Sequence, residues 1–325
     1  MSIGVGVIGT GVMGAEHARL LTSETPGAHL AGVFDADPAR AHIAAAGATV
    51  FPDPQSLIGS DRIDAVVIAS PDATHADLTR LCLQAGKLVL CEKPLAASTA
   101  EALRVVEAEV RGGRRLIQVG YMRRFDAGYR EMKRTRDAGA LGEIALLHNV
   151  HRNVRAPEWF TGAMAVTNAF VHEIDVSRWL TGSEMVSAHV ATARGGDPLM
   201  IAIRTDRDEI ISTEVYMNAA YGYHVHAELV GRSGSVALAP PSLTLVNCGG
   251  KGGLAYPENW IPRFADAYRR QMAAFVTAAR TGVAAGASAW DGYVASATAE
   301  QIAAAMAQGR EAKLSYAPRP ALYAS

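Results

Sequence analysis

The sequence predicts an α/β unit with a parallel, doubly wound sheet, followed by an α+β unit on a large open, mostly antiparallel sheet. Three observations predict it. Residues 3–8 mix small and β-branched side chains, as a strand buried on both faces does, and run straight into a glycine pattern. From there to about residue 120, strand-like and helix-like stretches alternate, the order that yields parallel pairing. Beyond residue 121 the alternation stops, and strand-like runs with charged and apolar residues in turn take over. The expected domains are therefore 1–120 and 121–325. At 325 residues, 49% hydrophobic and 19% charged, the chain has enough apolar material for two cores.

Ile3-Gly4-Val5-Gly6-Val7-Ile8 is the first strand, and Gly9-Thr10-Gly11-Val12-Met13-Gly14 turns it into a helix reaching Leu21. Gly9 permits the tight turn, Gly11 lets backbone approach a pyrophosphate, and Gly14 lets helix pack close on strand. The N–H groups at the helix start then face the phosphates, helped by the helix dipole. The second strand, 30–34, ends in Asp35, which lies 35 − 14 = 21 residues past the third glycine. About 20 is expected of the acid that binds ribose hydroxyls. A carboxylate there favours NAD, because it repels the 2′-phosphate of NADP. Arg40 reads as a solvated helix-face residue, with a 2′-phosphate contact as the alternative.

Thr49-Val50-Phe51 is a third strand, cut short by Pro52 and Pro54. Residues 65–69 form a buried strand that ends at Ser70-Pro71-Asp72-Ala73-Thr74-His75. The next helix sets Leu78, Leu81, Cys82 and Ala85 on one face and ends at Gly86. Leu88-Val89-Leu90-Cys91 is a strand ending in Glu92-Lys93-Pro94. Ser98-x-x-Glu101 is a capping box, and Leu103, Val106 and Val110 space the apolar face of its helix. Residues 116–120 close the unit. Ligands of such sheets bind beyond the carboxyl ends of the strands, so Gly9, Asp35, Ser70, Lys93 and Gly120 converge on one crevice.

In the second unit a helix near 127–138 leads to strand-like runs at 144–151, 186–194, 199–204, 209–218, 224–230, 234–239 and 242–246. Helices are expected at 168–181, 262–281 and 291–309, a polar hairpin turn at 204–208, a glycine-rich loop at 249–253 and a tail at 315–325. An open sheet face needs cover, which points to a homo-oligomer.

Net charge is −1 with no long run of one sign, so the basic footprint of nucleic-acid binding is missing. Cys82, Cys91 and Cys248 are few, odd in number and far apart, which fits a reducing cytoplasm rather than a disulfide framework. No apolar run approaches a membrane span, and the N-terminus enters a strand with no room for a signal peptide.

Lys93, at a strand end between Glu92 and Pro94, can hold or exchange the proton of a hydroxyl whose carbon loses hydride. Positive charge nearby, from Arg123 or an oxidised nicotinamide, would lower its pKa toward that use. Asn168, His172, Asp175 and Trp179 are spaced 4, 3 and 4 apart, so a helix puts them on one face, with Val171, Ile174 and Leu180 on another. That stripe aims a histidine and a carboxylate into a cleft. Tyr121-Met122-Arg123-Arg124-Phe125-Asp126 and His151-Arg152-Asn153 are flanking candidates, with a salt-bridged linker and an edge-strand turn as the alternatives. A metal site from His151, His172 and Asp175 lacks compact zinc spacing, so no metal is expected.

Together, Gly9-x-Gly11-x-Met13-Gly14, Ser70-Pro71 with His75, Glu92-Lys93-Pro94 and the His172 helix resemble the Gfo/Idh/MocA oxidoreductases, over nearly the whole chain. The resemblance implies a Rossmann domain, an open-sheet α+β domain, NAD(P) and a sugar or cyclitol substrate. Within the family, residues 121–129, His151-Arg152-Asn153, residues 171–180 and Tyr221-Gly222-Tyr223 look like inositol 2-dehydrogenases. This implies NAD-dependent oxidation of a cyclitol ring alcohol, myo-inositol to its 2-keto form, by a cytoplasmic homotetramer. Lys93 and His172 would be catalytic. Arg123, His151, Asn153, Asn168, Asp175 and Tyr223 would bind substrate. The cofactor set would be Gly9, Thr10, Gly11, Val12 and Met13, with Asp35, Ala36 and Arg40, then Ser70, Pro71 and His75, and Glu92, Lys93 and Pro94.

Two positions depart from the family pattern. Asn168 stands where an aspartate usually pairs with the catalytic histidine, which predicts a lower His172 pKa and more reliance on Lys93. His224 stands where an aspartate usually follows the Tyr-Gly-Tyr segment. The alternatives are a dehydrogenase of another inositol isomer or pyranose, and an NAD(H)-binding sensor with weak catalysis.

Overall fold

The computed structural model describes residues 2–160, 162–240, 242 and 244–324. The chain forms two compact units. One comprises Met1–Met122, Tyr268–Ser296 and Ala317–Ser325; the other comprises Arg123–Ala267 and Ala297–Tyr316. The expectation that all of 121–325 belongs to the second domain is thus corrected, because the chain returns to the first unit twice.

The first unit holds strands β1 (Ile3–Ile8), β2 (Ala28–Phe34), β3 (Thr49–Val50), β4 (Ala65–Ile68), β5 (Leu88–Cys91) and β6 (Ile117–Val119). Their order is β3-β2-β1-β4-β5-β6, and all pairs are parallel. This is the Rossmann order, with its switch point between β1 and β4. β4 and β5 are buried throughout, which explains their continuous apolar sequence. Five helices connect the strands: α1 (Val12–Ser23), α2 (Pro38–Ala45), α3 (Pro54–Gly59), α4 (His75–Gln84) and α5 (Thr99–Arg111).

Local signals set the helix starts. Asp37 and Asp53 cap α2 and α3, each followed by proline at the first helical position. Ser98 Oγ accepts from Glu101 N and donates to its carboxylate (3.1 Å), closing the expected box on α5. The expected apolar face of α5 is rotated, however. Val110 is exposed, and Glu109 is buried instead. Its carboxylate accepts from Leu116 N (2.6 Å) and Ile117 N (2.7 Å), and from the hydroxyl of Tyr323. The expected tail is corrected by the same bond. Tyr323 is buried, stacks on Trp290 and anchors the chain end to α5. Met272, Phe275 and Ala278 likewise join the apolar core behind Leu88, Leu90 and Leu116.

The second unit holds α6 (Ala127–Asp137), β7 (Ile144–Arg152), a short α7 (Gly162–Met164), a π turn (Ala165–Ala169) and α8 (Val171–Thr181). β8 (Met185–Thr192), β9 (Leu199–Thr205), β10 (Ile210–Tyr216), β11 (His224–Gly231) and β12 (Gly234–Ala237) follow. The strand order is β12-β11-β7-β10-β9-β8-β15, where β15 is Ala312–Lys313. Only β7 and β10 pair parallel. One face is apolar and covered: Leu147, Ile203, Ile211, Val215 and Leu229 are all buried. α8 docks there, with Asn149 Nδ2 donating to Ser177 Oγ (3.1 Å).

The expected glycine loop at 249–253 is instead part of a ribbon. β13 (Leu245–Cys248) pairs with β14 (Lys251–Leu254) across Gly249-Gly250. Both glycines have positive φ (59° and 75°), as a two-residue hairpin turn requires. Leu243, within the expected strand 242–246, lies outside the described residues. Helices α9 (Trp260–Arg263), α10 (Ala265–Thr281) and α11 (Ala289–Ala307) follow.

Candidate functional site

In the first unit the site is built from main chain. Gly9 has φ of +85°, and a Cβ there would lie 2.4 Å from Ser70 N. A Cβ on Gly14 would lie 1.8 Å from Gly9 O, so helix and turn touch only because both residues are glycine. Gly11 differs: a Cβ added there meets nothing within 4 Å. The space lies at the start of α1, where no side chain caps the first N–H groups. Thr10, Gly11, Val12 and Met13 thus surround an open cradle of backbone donors, which fits a pyrophosphate.

Asp35 ends β2 beside that cradle. Its carboxylate accepts from Thr10 N (2.6 Å), Thr10 Oγ1 (3.0 Å) and Asp37 N (2.8 Å). Burial pushes its pKa up, but these donors and Arg40 outweigh it and hold the group below the usual carboxylate range. Asp35 is therefore a fixed anion, suited to ribose hydroxyls and hostile to a phosphate. Ala36 follows it on the surface. Arg40 is over half exposed, 3.7 Å from Asp35 and 3.2 Å from Asp37, so its charge is shared between two acids.

Ser70 and Pro71 form the end of β4, where Ser70 Oγ bonds Thr74 Oγ1 (2.6 Å). His75 opens α4 with its ring against Ser70 and Pro94. Lys93 is half-buried at the end of β5, and its bond to Pro94 is cis. Glu92, just before it, is held by His17 of α1 (Nε2 to Oε1, 2.7 Å). The other Glu92 oxygen fills the space a Cβ on Gly120 would take, at 2.5 Å. Sequence reasoning missed His17; its signal was a polar residue on the face of α1 that Gly14, Ala18 and Leu21 make apolar.

In the second unit the site is built from buried charge. Arg123 is 1% exposed, and its guanidinium donates to Glu173, which is fully buried. Glu173 also accepts from His151 Nδ1 (3.0 Å). Burial pushes Glu173 up, yet Arg123 and His151 outweigh it and keep its carboxyl below the usual range. A carboxylate cannot donate, so the contact to Glu173 places a proton on Nδ1, and Arg123 Nη2 lies 3.4 Å from the same nitrogen. Tyr223 packs edge-on against His151 (5.9 Å between centroids), and burial pushes its phenol up to about 12.

The structure thus joins Arg123 and His151 through Glu173, an acid the sequence stripe left out, and adds Tyr223 by its packing on His151. Glu173 is one position off that stripe, among Val171, Ile174 and Val176. A carboxylate in an apolar run was the only local signal.

Asp175 is placed differently. It is buried, and Arg124 grips both its oxygens (2.9 and 2.6 Å). Asn153 follows β7, with its amide Nδ2 on Met217 Sδ (3.2 Å). His172 and Trp179 are half-buried on α8. The one-face expectation for Asn168 is corrected: it lies in the π turn, where Phe170 N bonds Ala165 O (2.9 Å), and α-helical geometry begins only at Val171. Such turns recur at functional sites. Asn168 Oδ1 accepts from Thr167 Oγ1 (3.0 Å). His224 faces away from Tyr223: its Nδ1 bonds Tyr221 Oη (2.7 Å), on the sheet face that carries Arg152 and Glu214.

Comparison with known proteins accords with both halves. Residues 3–121 match the oxidoreductase family's NAD-binding Rossmann fold, and residues 137–314 its C-terminal alpha/beta domain. Inositol 2-dehydrogenase 1 of Saccharopolyspora erythraea is 50% identical over 99% of both chains. Inositol 2-dehydrogenase of Pseudomonas fluorescens is 38% identical over 100% of both. Among solved structures, myo-inositol dehydrogenase from Lactobacillus casei, in complex with NAD(H) and myo-inositol, superposes with a TM-score of 0.95 at 32% identity. That match covers 99% of this chain and all of the other.

Proposed function

The chain belongs to the Gfo/Idh/MocA oxidoreductase family, and on that footing we propose that it oxidises a ring secondary alcohol of a cyclitol with NAD. The substrate we assign is myo-inositol, and the product its 2-keto form. The observation that carries this is the full-length likeness to a dehydrogenase solved with NAD(H) and myo-inositol.

Gly9, Thr10, Gly11, Val12 and Met13 would hold the pyrophosphate, and Asp35 the adenine-side ribose. Bound NAD supplies a hydride acceptor at the nicotinamide ring. Lys93 and His172 are the proposed proton-handling residues, taking the hydroxyl proton as its carbon is oxidised. His151, with Nδ1–H fixed on Glu173, offers Nε2 to a substrate hydroxyl. Arg123 and Arg124 act through their carboxylates, holding Glu173 and Asp175 in place. Asn153, Asn168 and Tyr223 complete the proposed hydroxyl contacts. Misplacing such groups by an ångström costs about a hundredfold in rate.

The enzyme is proposed to be a cytoplasmic homotetramer of inositol catabolism. Met200 and Ile210 are half-exposed on the open sheet face, beside a groove of about 690 Å³ lined by Arg152, Leu199, Glu214 and Tyr221. That face is suited to a second copy of the chain. Light scattering after size exclusion tests it; a monomer at micromolar concentration removes the proposal.

Initial rates with myo-, scyllo- and D-chiro-inositol and D-glucose, each with NAD and NADP, test the reaction. Turnover on an inositol with NAD is expected. NADH binding without turnover on all four would reject the assignment.

A further inference from the structure

We infer that His75 is a buried imidazolium that staples the end of β4 to the turn carrying Lys93. Its Nδ1 lies 2.6 Å from the carbonyl oxygen of Pro94, and its Nε2 lies 2.8 Å from that of Ser70. Carbonyl oxygens accept and never donate. Both ring nitrogens must therefore be donors, and a histidine has two N–H groups only when protonated. A neutral ring would set one nitrogen lone pair against an oxygen lone pair. The residue is 1% exposed, so no water compensates that loss cheaply.

The surroundings agree with the charge. Burial opposes it, but Cys91 and the two carbonyls prevail, and the ring's pKa is pushed up to about 10. From β5, Cys91 is the titratable group that faces the ring, and its Sγ also contacts Glu92 O (3.4 Å). Glu92 is turned toward His17 and Gly120, and among the described residues no carboxylate hydrogen-bonds the His75 ring. β4 and the Pro94 turn contribute main-chain oxygens.

The two carbonyls are 24 residues apart in sequence (94 − 70), on two loops that the proposed cofactor site uses together. A cation donating to both fixes their separation. Lys93 precedes one of them directly, so His75 is a positioning residue for the lysine. This last step rests on the function proposed above; the protonation state does not.

The test begins on the full chain, labelled with ¹⁵N-histidine, by long-range ¹H–¹⁵N correlation at pH 8. The His75 signal is assigned by its loss in His75→Gln, or in His75→Asn should the first fail to fold. Two protonated ring nitrogens are expected, at a pH where an ordinary histidine is neutral. One protonated and one bare nitrogen overturns the inference, whatever the substrate proves to be. The second arm reads kcat and NADH affinity in the same variant. A fall in kcat of about a hundredfold, larger than any loss of NADH affinity, is expected. Unchanged kcat removes the positioning role.

Discussion

The two units build their candidate sites by opposite means. In the first, main chain shapes the site: glycines leave room, no side chain caps the first helix N–H groups, and one carboxylate, Asp35, is aimed largely by its backbone neighbours. In the second, the work falls to buried charges drawn from separate elements, with Arg123, His151 and Glu173 meeting from the segment after β6, from β7 and from α8. A main-chain site tolerates change wherever the added atom has space. A buried ion set tolerates the loss of no member, because each charge is stabilised only by the others.

Substitutions at matched positions can break or sharpen that contrast. The largest effect on rate is expected at Lys93. Lys93→Ala should lower kcat by about a hundredfold to ten-thousandfold, while fluorescence titration shows NADH binding retained. Glu173→Gln should be the most damaging to stability. It leaves Arg123 buried without its anion, at a cost of about 3–5 kcal/mol by denaturant unfolding. Turnover should fall with it, since His151 loses its carboxylate partner. Should the unfolding midpoint stay put, the claim about charge in the second unit fails.

The pH dependence of stability should divide the same way. Glu173 is held below its ordinary value of 4.5 in the fold. Its contribution is present above that value and is lost as pH falls through the folded pKa. His75 is raised from 6.5 to about 10, so its contribution is complete below 6.5 and fades as pH rises toward 10. Unfolding curves on His75→Gln and Glu173→Gln should lose the alkaline and acid slopes respectively.

A smaller effect is expected at Asp35. Asp35→Ser should cut NAD preference over NADP by about ten- to a hundredfold, the worth of a charged hydrogen bond, with the melting temperature little changed. Arg40→Ala should do least. Its guanidinium is exposed and shared between Asp35 and Asp37, so stability should move by no more than about 0.5 kcal/mol.

The same contrast explains how much could be read from the chain. Gly9, Gly11, Gly14 and Asp35 were legible because their work is local and their spacing is set by one strand, one turn and one helix. The Ser98 cap was legible for the same reason. Glu173 was not, since its partner Arg123 lies 50 residues away; nor was Glu109, one of several charges on α5, whose partners Leu116 and Ile117 are apolar residues that it meets through their backbone N–H groups. Asp175 was legible as an inward-facing acid, but its partner Arg124 was not. The return of Tyr323 to Glu109 was equally hidden, because a single aromatic near a chain end carries no address. The π turn at Asn168 escaped too, since i and i+4 spacing assumes an unbroken α-helix.

Hydride transfer itself offers the most direct test of the account. Myo-inositol deuterated at C2 would be turned over with NAD, and the reduced cofactor analysed by mass. One deuterium in the reduced nicotinamide for each ketone formed is the result expected. Reduced cofactor without deuterium, or none formed while NADH still binds, would contradict it.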